Sequence, residues 1–361
     1  MISCWACGKN SKFISKILPY CPECIREKYK TLKEEITQIH SKTRLDFGLV
    51  AAPPETKNGK KCALCVNHCR LGEGEKGFCN VRENVGGRIG SPEKDWAYLE
   101  YYHDPLPTNC VAAWVCPGCS KHGFPAYSYF PHPEYGYKNL AVFYEACTFN
   151  CLFCQNWSFK KRRVKTTIQE LVDAADPLTS CICYFGGDPS PFSTHGLEVA
   201  QRIRDKNKRI FRICWETNGS LNPDLMKTWA EFALKSGGCI KIDFKAFSDQ
   251  VQYALCGSSN VNTKENIRLL AELGHEREEP PLLVVSTLLV PGYIDEFEIE
   301  SIARYISNIS PKIPWSLLGF HPQFLMADLP CTSKVQAQRA LEIAQRFGIE
   351  DVNIGNVHLL I

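Results

Sequence analysis

The chemistry of this chain is concentrated in its cysteines, and most densely in the run Cys147-Thr-Phe-Asn-Cys151-Leu-Phe-Cys154. Three thiolates at x3 and x2 spacing can close around one face of a small metal cluster. On a four-iron cluster they leave one iron without a protein ligand, free to take a small molecule. A zinc ion would want a fourth ligand close by, and none follows at short spacing. Phe153, just before the last cysteine, suits a cluster shielded from water. A structural zinc knuckle is the competing reading of these residues alone.

Three further sets lie upstream. Cys4-x2-Cys7 and Cys21-x2-Cys24 are two knuckles of a Cys4 ribbon, the pattern of a tetrahedral structural zinc site, with a rubredoxin-like iron site or iron–sulfur cluster as the alternative. So small a unit has little core, so the metal would supply much of its folding energy. Cys62, Cys65, Cys69 and Cys79 form a second set, where Gly72, Gly74 and Gly77 let the backbone turn back toward the site. Zinc and an auxiliary iron–sulfur cluster compete there, with zinc slightly preferred. Cys110, Cys116 and Cys119 form a third, with His103, His122 and His132 near in sequence. It reads either as another cluster or zinc site with a histidine completing it, or as a loop with free thiols.

Composition sets the frame. The chain has 361 residues, 20 of them cysteine, and a net charge of +3. It is long enough for one large domain with smaller ones, and the near-balanced charge argues for no particular partner. Met1-Ile-Ser-Cys-Trp-Ala-Cys lacks the basic-then-apolar pattern of a secretory signal, and no apolar run reaches membrane-spanning length. The expected setting is a reducing, low-oxygen cytoplasm, where paired cysteines bind metal rather than form disulfides.

Elements must position these residues. Tyr29, Leu32, Ile36 and Ile39 recur at helical spacing within 26–44, ahead of a linker through Ala51-Ala-Pro-Pro54. From about Lys138 the pattern alternates strand and helix. Strands are expected at Leu140–Tyr144, Cys181–Phe185, Ile210–Trp215, Cys239–Phe244, Leu282–Leu289 and Trp315–Phe320. Helices are expected at Ile168–Ala175, Leu197–Lys206, Pro223–Lys235, Thr263–Leu273 and Ile299–Ile309, with a last helix and strand at Gln336–Phe347 and Val352–Ile354. Six β/α units predict an α/β fold, a partial (β/α)6 TIM-like barrel whose site lies at the C-terminal ends of its strands. The expected organisation is 1–50 ribbon and helix, 51–136 Cys-rich region, and 137–361 barrel. Polar groups close the strands where such a site belongs: Gly186-Gly187-Asp188-Pro189, Glu216-Thr217-Asn218-Gly219, and Asp243-Phe-Lys245. Cys181, Cys183, Cys214 and Cys239 lie on strands and read as small buried apolar residues. The run Lys160-Lys-Arg-Arg163 reads as a solvated face.

CxxxCxxC with an aromatic before the final cysteine resembles the signature of the radical S-adenosylmethionine (SAM) superfamily. With Gln155-Asn156-Trp157 after it, the motif is similar to the radical SAM enzymes of the AmmeMemoRadiSam group, relatives of glycyl-radical-enzyme activating enzymes such as that of pyruvate formate-lyase. The block around Cys62–Cys79, the pair Leu255-Cys-Gly257 and Val290-Pro291-Gly292, which resemble later strands of the activating enzymes, and the tail motifs Phe320-His321-Pro322 and Gly355-Asn356-Val357 extend the likeness over most of the chain. Cys110, Cys116 and Cys119 depart from the family pattern. The resemblance implies a 4Fe-4S cluster on Cys147, Cys151 and Cys154, with SAM as co-substrate. It implies SAM contacts from Gly186, Gly187, Asp188, Asn218, Asp243, Lys245 and His321, and a Pro-Gly turn at Pro291-Gly292 near the adenosyl group. The implied activity is reductive cleavage of SAM to a 5′-deoxyadenosyl radical that takes hydrogen from an unidentified substrate. The implied electron donor is of the flavodoxin or ferredoxin type. One alternative is an activating enzyme that installs a glycyl radical on a partner protein. An alternative of another class is a non-catalytic zinc protein that binds nucleic acid, which the mixed charges disfavour.

Overall fold

In the computed structural model the described residues are 1–91, 95–206 and 209–361. Helix α1 (Pro22–Leu45) starts inside the first cysteine ribbon, kinks at Lys28 and buries Leu32, Ile36 and His40. One sheet follows, of nine strands: β1 (Trp96–Pro105), β2 (Lys138–Tyr144), β3 (Lys165–Thr167), β4 (Thr179–Gly186), β5 (Arg212–Thr217), β6 (Ile240–Asp243), β7 (Leu283–Leu289), β8 (Trp315–Gly319) and β9 (Val352–Gly355). Their order is β9-β8-β7-β6-β5-β4-β2-β1-β3. The seven strands from β2 through β9, leaving out β3, run parallel, while β1 is antiparallel to both β2 and β3. The sheet is a partial barrel with open edges, as the alternating pattern predicts.

The outward strand face is apolar and carries the helices. Ile182, Tyr184, Ile213, Trp215, Ile240 and Ile242 are fully buried there. Trp215 stacks on Trp229 of α4 (Pro223–Ser236) with ring centroids 4.2 Å apart. The remaining helices are α2 (Ile168–Ala174), α3 (Ser193–Lys206), α5 (Asp249–Cys256), α6 (Val261–Leu273), α7 (Glu296–Ile309) and α8 (Lys334–Arg346). The starts of three are set by side chains that accept orphan N–H groups: Thr167 and Glu170 form a capping box on α2, Asp295 caps α7 and Ser333 caps α8.

The structure departs from the expected organisation in two places. Strand β1 falls in the region assigned to the Cys-rich segment, yet it belongs to the barrel sheet, so the boundary at 136/137 cuts through that sheet. Its alternation of buried Ala97 and Leu99 with half-buried Trp96 and Tyr98 is an ordinary strand signal, masked by the neighbouring cysteines. Leu255 and Cys256 end helix α5 instead of a strand, and Gly257, at φ 68°, stops that helix.

The segment 106–137 between β1 and β2 fills the N-terminal mouth of the barrel. Trp114 Nε1 donates to Asp351, just before β9, at 2.7 Å. Ala112 and Val115 bury themselves with Val284 of β7. Glu134 is held bidentately by Arg212 at the start of β5, at 2.9 and 2.6 Å, with both side chains fully buried.

Candidate active site and metal centres

The C-terminal strand ends surround one cavity of about 310 Å³. Residues at or just past the ends of all seven parallel strands line it, from Cys147 after β2 to Asn356 after β9. All three cysteines of the central motif face it, as do Gly186, Gly187, Asp188, Asn218, Asp243 and Lys245. His321 does not: it is exposed and outside the lining. Gly292 packs against Phe13 of the N-terminal segment, not the cavity.

The loop carrying Cys147, Cys151 and Cys154 is built from beneath. Asn150, 1% exposed, donates to His40 Nδ1 at 3.1 Å and to Thr43 Oγ1 at 3.0 Å, both on α1. Its Oδ1 accepts from Lys160 Nζ at 2.7 Å. Lys160 is therefore buried and not part of the solvated face expected of the run to Arg163. Backbone N–H groups of Asn150 and Leu152 donate to the carbonyls of Cys256 and Leu255 at 2.7 and 3.0 Å. The thiol of Cys256 lies close enough to Cys151 to raise its pKa, a neighbour that sequence spacing gives no way to see. Asn218 Nδ2 donates to Thr148 Oγ1 at 2.8 Å and sits 3.8 Å from Cys147 Sγ, so it orients the first thiol.

The paired glycines act mainly on packing. A Cβ on Gly186 would stand 2.2 Å from the Tyr144 carbonyl oxygen, and one on Gly187 would stand 2.3 Å from that of Ala146. Only glycine lets the end of β4 lie flush against the chain entering the cysteine loop. Asp188 then ties two strand ends together. It accepts from the N–H groups of Ser190 and Asn218, both at 2.8 Å, and from Thr217 Oγ1 at 2.9 Å. Burial lifts its carboxyl above the ordinary value against these donors.

Charge is arranged around the thiols. Burial pushes Cys154 up to about 11 and holds Cys147 well above its ordinary value. For Cys151 the thiol of Cys256 comes first and burial second. Ligation by a metal would displace these protons. Lys245 pairs with Asp243 at 2.6 Å. Glu216 lines the same cavity with a buried Oε2 that has no hydrogen-bond partner, since Lys241 approaches only to 3.7 Å. A cavity with three convergent thiols and an unpartnered carboxylate oxygen fits a cluster and a polar, charged ligand.

The upstream sets differ in spacing. The sulfurs of Cys4, Cys7, Cys21 and Cys24 all lie within 4.8 Å of one another, and Cys7 Sγ is 3.8 Å from Cys21 Sγ. A tetrahedral zinc ion at ~2.3 Å from each sulfur requires S···S separations of ~3.8 Å. N–H groups aimed at Cys4, that of Cys21 foremost, outweigh burial and bring its thiol down to about 6. Cys62, Cys65, Cys69 and Cys79 share one region, and burial raises Cys65, Cys69 and Cys79. Among the described residues, however, neither these four nor the Cys147 set gathers as tightly as the first ribbon. Arg44, 2% exposed, stands between the Cys62 set and the central loop, and its guanidinium stacks 3.6 Å over the Phe78 ring. Each histidine near the third set in sequence makes a hydrogen bond away from its thiols. His103 bonds the Ala174 carbonyl, His122 meets Ser120 and His132 meets the Pro133 carbonyl.

A model of the radical SAM superfamily matches residues 141–306. An uncharacterized protein of Methanocaldococcus jannaschii is 26% identical over 310 residues, 83% of this chain and 82% of that protein. A second protein of that organism, provisionally named a glycyl-radical enzyme activating enzyme, is 26% identical over 207 residues, 56% of this chain and 74% of that protein. A solved domain of a pyruvate-formate lyase-activating enzyme from Bacteroides vulgatus superposes with a TM-score of 0.40 at 19% identity, covering 48% of this chain and 98% of that domain. No helix among the described residues is long and apolar enough to cross a membrane.

Proposed function

We propose, for a chain that belongs to the radical SAM superfamily and is an enzyme of that type, that Cys147, Cys151 and Cys154 hold a 4Fe-4S cluster with SAM at its open iron. When bound, that pair supplies a 5′-deoxyadenosyl radical able to take hydrogen from a substrate. The observation that carries the reading is the convergence of the three thiols on the cavity at the strand ends. Asn218 orients Cys147, and buried Phe153 keeps water from the last thiol. Asp243, Lys245 and the free oxygen of Glu216 offer both charges to the amino, carboxylate and ribose groups of SAM. Asp188 acts one step back, fixing the turns that present Gly187 and Asn218.

The sulfur spacing of the first ribbon supports a single tetrahedral metal ion, and zinc is the ion proposed there. The Cys62 set, which gathers less tightly than the first ribbon, takes an auxiliary iron–sulfur core as readily as a single zinc ion. A reductant is required to start the reaction. The name of one relative supports a second reading, in which the hydrogen comes from a glycine of a partner protein.

The test is anaerobic. Reconstituted protein is given dithionite and SAM, and 5′-deoxyadenosine is measured by chromatography beside a Cys147→Ala, Cys151→Ala, Cys154→Ala triple variant. Wild type is expected to form it and the variant not. Equal yields from both, or none from cluster-loaded wild type, would refute the proposal. A stable protein radical formed on a partner would single out the activating reading.

A further inference from the structure

Three of the four strand cysteines read as apolar filler are not scattered, while Cys181 bonds Asn139 at 3.4 Å. Side chains alternate along a strand, so residues two apart share a face. Phe185, Glu216 and Asp243 line the cavity. One step down the same face lie Cys183 on β4, Cys214 on β5 and Lys241 on β6, and Cys239 lies one step below Lys241. Cys183 and Cys214 are register partners. The Cys239 N–H points at Cys214 Sγ at 3.5 Å. These thiols therefore form a row across three adjacent strands inside the barrel, beneath the cavity floor.

The segment that fills the barrel from below brings its own cysteines to this row. Asn109 and Val111 reach the cavity, which places Cys110 between them at its floor. Cys116, 9% exposed, is near enough to Cys214 and Cys239 for its charge to act on both thiols. Lys241 Nζ is 3.2 Å from Cys110 Sγ. Lys241 is 2% exposed and lies 3.7 Å from Glu216. Glu216 gives this buried ammonium a carboxylate at ion-pair but not hydrogen-bond distance, and the neutral thiol in contact with it is a poor partner. Thiolates would satisfy it, and buried thiolates persist when a metal holds them. Apolar filler accounts for one strand cysteine at a time, but not for three in a row facing two more and a buried lysine.

We propose that Cys110, Cys116, Cys183, Cys214 and Cys239 supply the ligands of an iron–sulfur cluster beneath the cavity, with Lys241 as its charge partner. No three of these sulfurs close to the 4.8 Å grouping of the first ribbon. The site draws on the insert and the barrel together, and it needs neither SAM nor the thiols of Cys147, Cys151 and Cys154.

The experiment counts iron, acid-labile sulfide and zinc in anaerobically reconstituted full-length protein. Cys110→Ala/Cys116→Ala is compared with wild type, both in the Cys147→Ala, Cys151→Ala, Cys154→Ala background. Iron and sulfide are expected to fall together, by about four each for a cubane. A fall in zinc alone would overturn the cluster in favour of a single ion, and unchanged metal would overturn the site altogether. Should the insert variant fail to fold, judged by circular dichroism, the loaded background protein is alkylated with iodoacetamide before and after iron chelation. Cys110 is then expected to be protected only while iron is bound, and equal labelling in both states overturns the proposal.

Discussion

Breaking the Arg212–Glu134 pair should release the insert from the barrel. Both side chains are fully buried and joined through both carboxylate oxygens. Glu134 also accepts from the Tyr129 N–H at 2.9 Å and Ser180 Oγ at 2.7 Å. Burial would lift its carboxyl, but Arg212 and these donors win and hold it below its ordinary value. Arg212 also donates to the Tyr127 carbonyl at 2.8 Å. Glu134→Gln keeps the shape and removes the charge, stranding a guanidinium with no water to solvate it. Removing one partner of such a pair costs ~3–5 kcal/mol, a large share of a domain's ~5–15 kcal/mol. Arg212→Met should cost a similar amount. The double variant should cost clearly less than the two together, because neither charge is then left alone. Urea unfolding followed by tryptophan fluorescence gives all three values. Single-variant losses under ~1 kcal/mol, or strict additivity in the double, would show that the pair does not anchor the insert.

Two further outcomes are expected. Cys24→Ser should cost the protein about one zinc per chain and leave its iron unchanged; loss of iron in place of zinc would make the ribbon a rubredoxin-like site. His40 and His195 are buried and neutral, their pKa values brought down to about 4 by burial. The unfolded chain takes up those protons near ~6.5, so their contribution is complete above that pH and is lost as pH falls toward 4. The gap is worth ~3 kcal/mol for each histidine, and a His40→Gln/His195→Gln variant should lose less stability between pH 7 and 4.5 than wild type. Identical losses in urea midpoint would refute this.

The central loop was legible because its cysteines are adjacent in sequence and follow a run of buried residues. The barrel strands were legible to within about two residues because parallel strands buried on both faces read as continuous apolar runs. That same property hid the thiol row: with both faces buried, nothing in Thr179–Gly186 shows that Cys183 and Phe185 share the inner one. Lys160 was misread for a related reason. Three exposed basic residues follow it, and only the fold shows it turning inward to Asn150. His321 followed the likeness of a tail motif, but the chain after β8 carries it outward.

The N-terminal ribbon docks far along the chain. Ser15 Oγ donates to Asp328 at 2.7 Å, 313 residues away, and its N–H donates to the hydroxyl of Tyr293. Arg26 pairs with Asp295 at 2.7 Å and with Glu298 at 3.3 Å. During synthesis the ribbon leaves the ribosome long before the surface it rests on. It must hold itself together until that surface is made, and its four thiols give it the means to do so if metal is taken up at once. Metal supply at birth, more than metal retention at maturity, would then govern how much of this protein reaches its folded state.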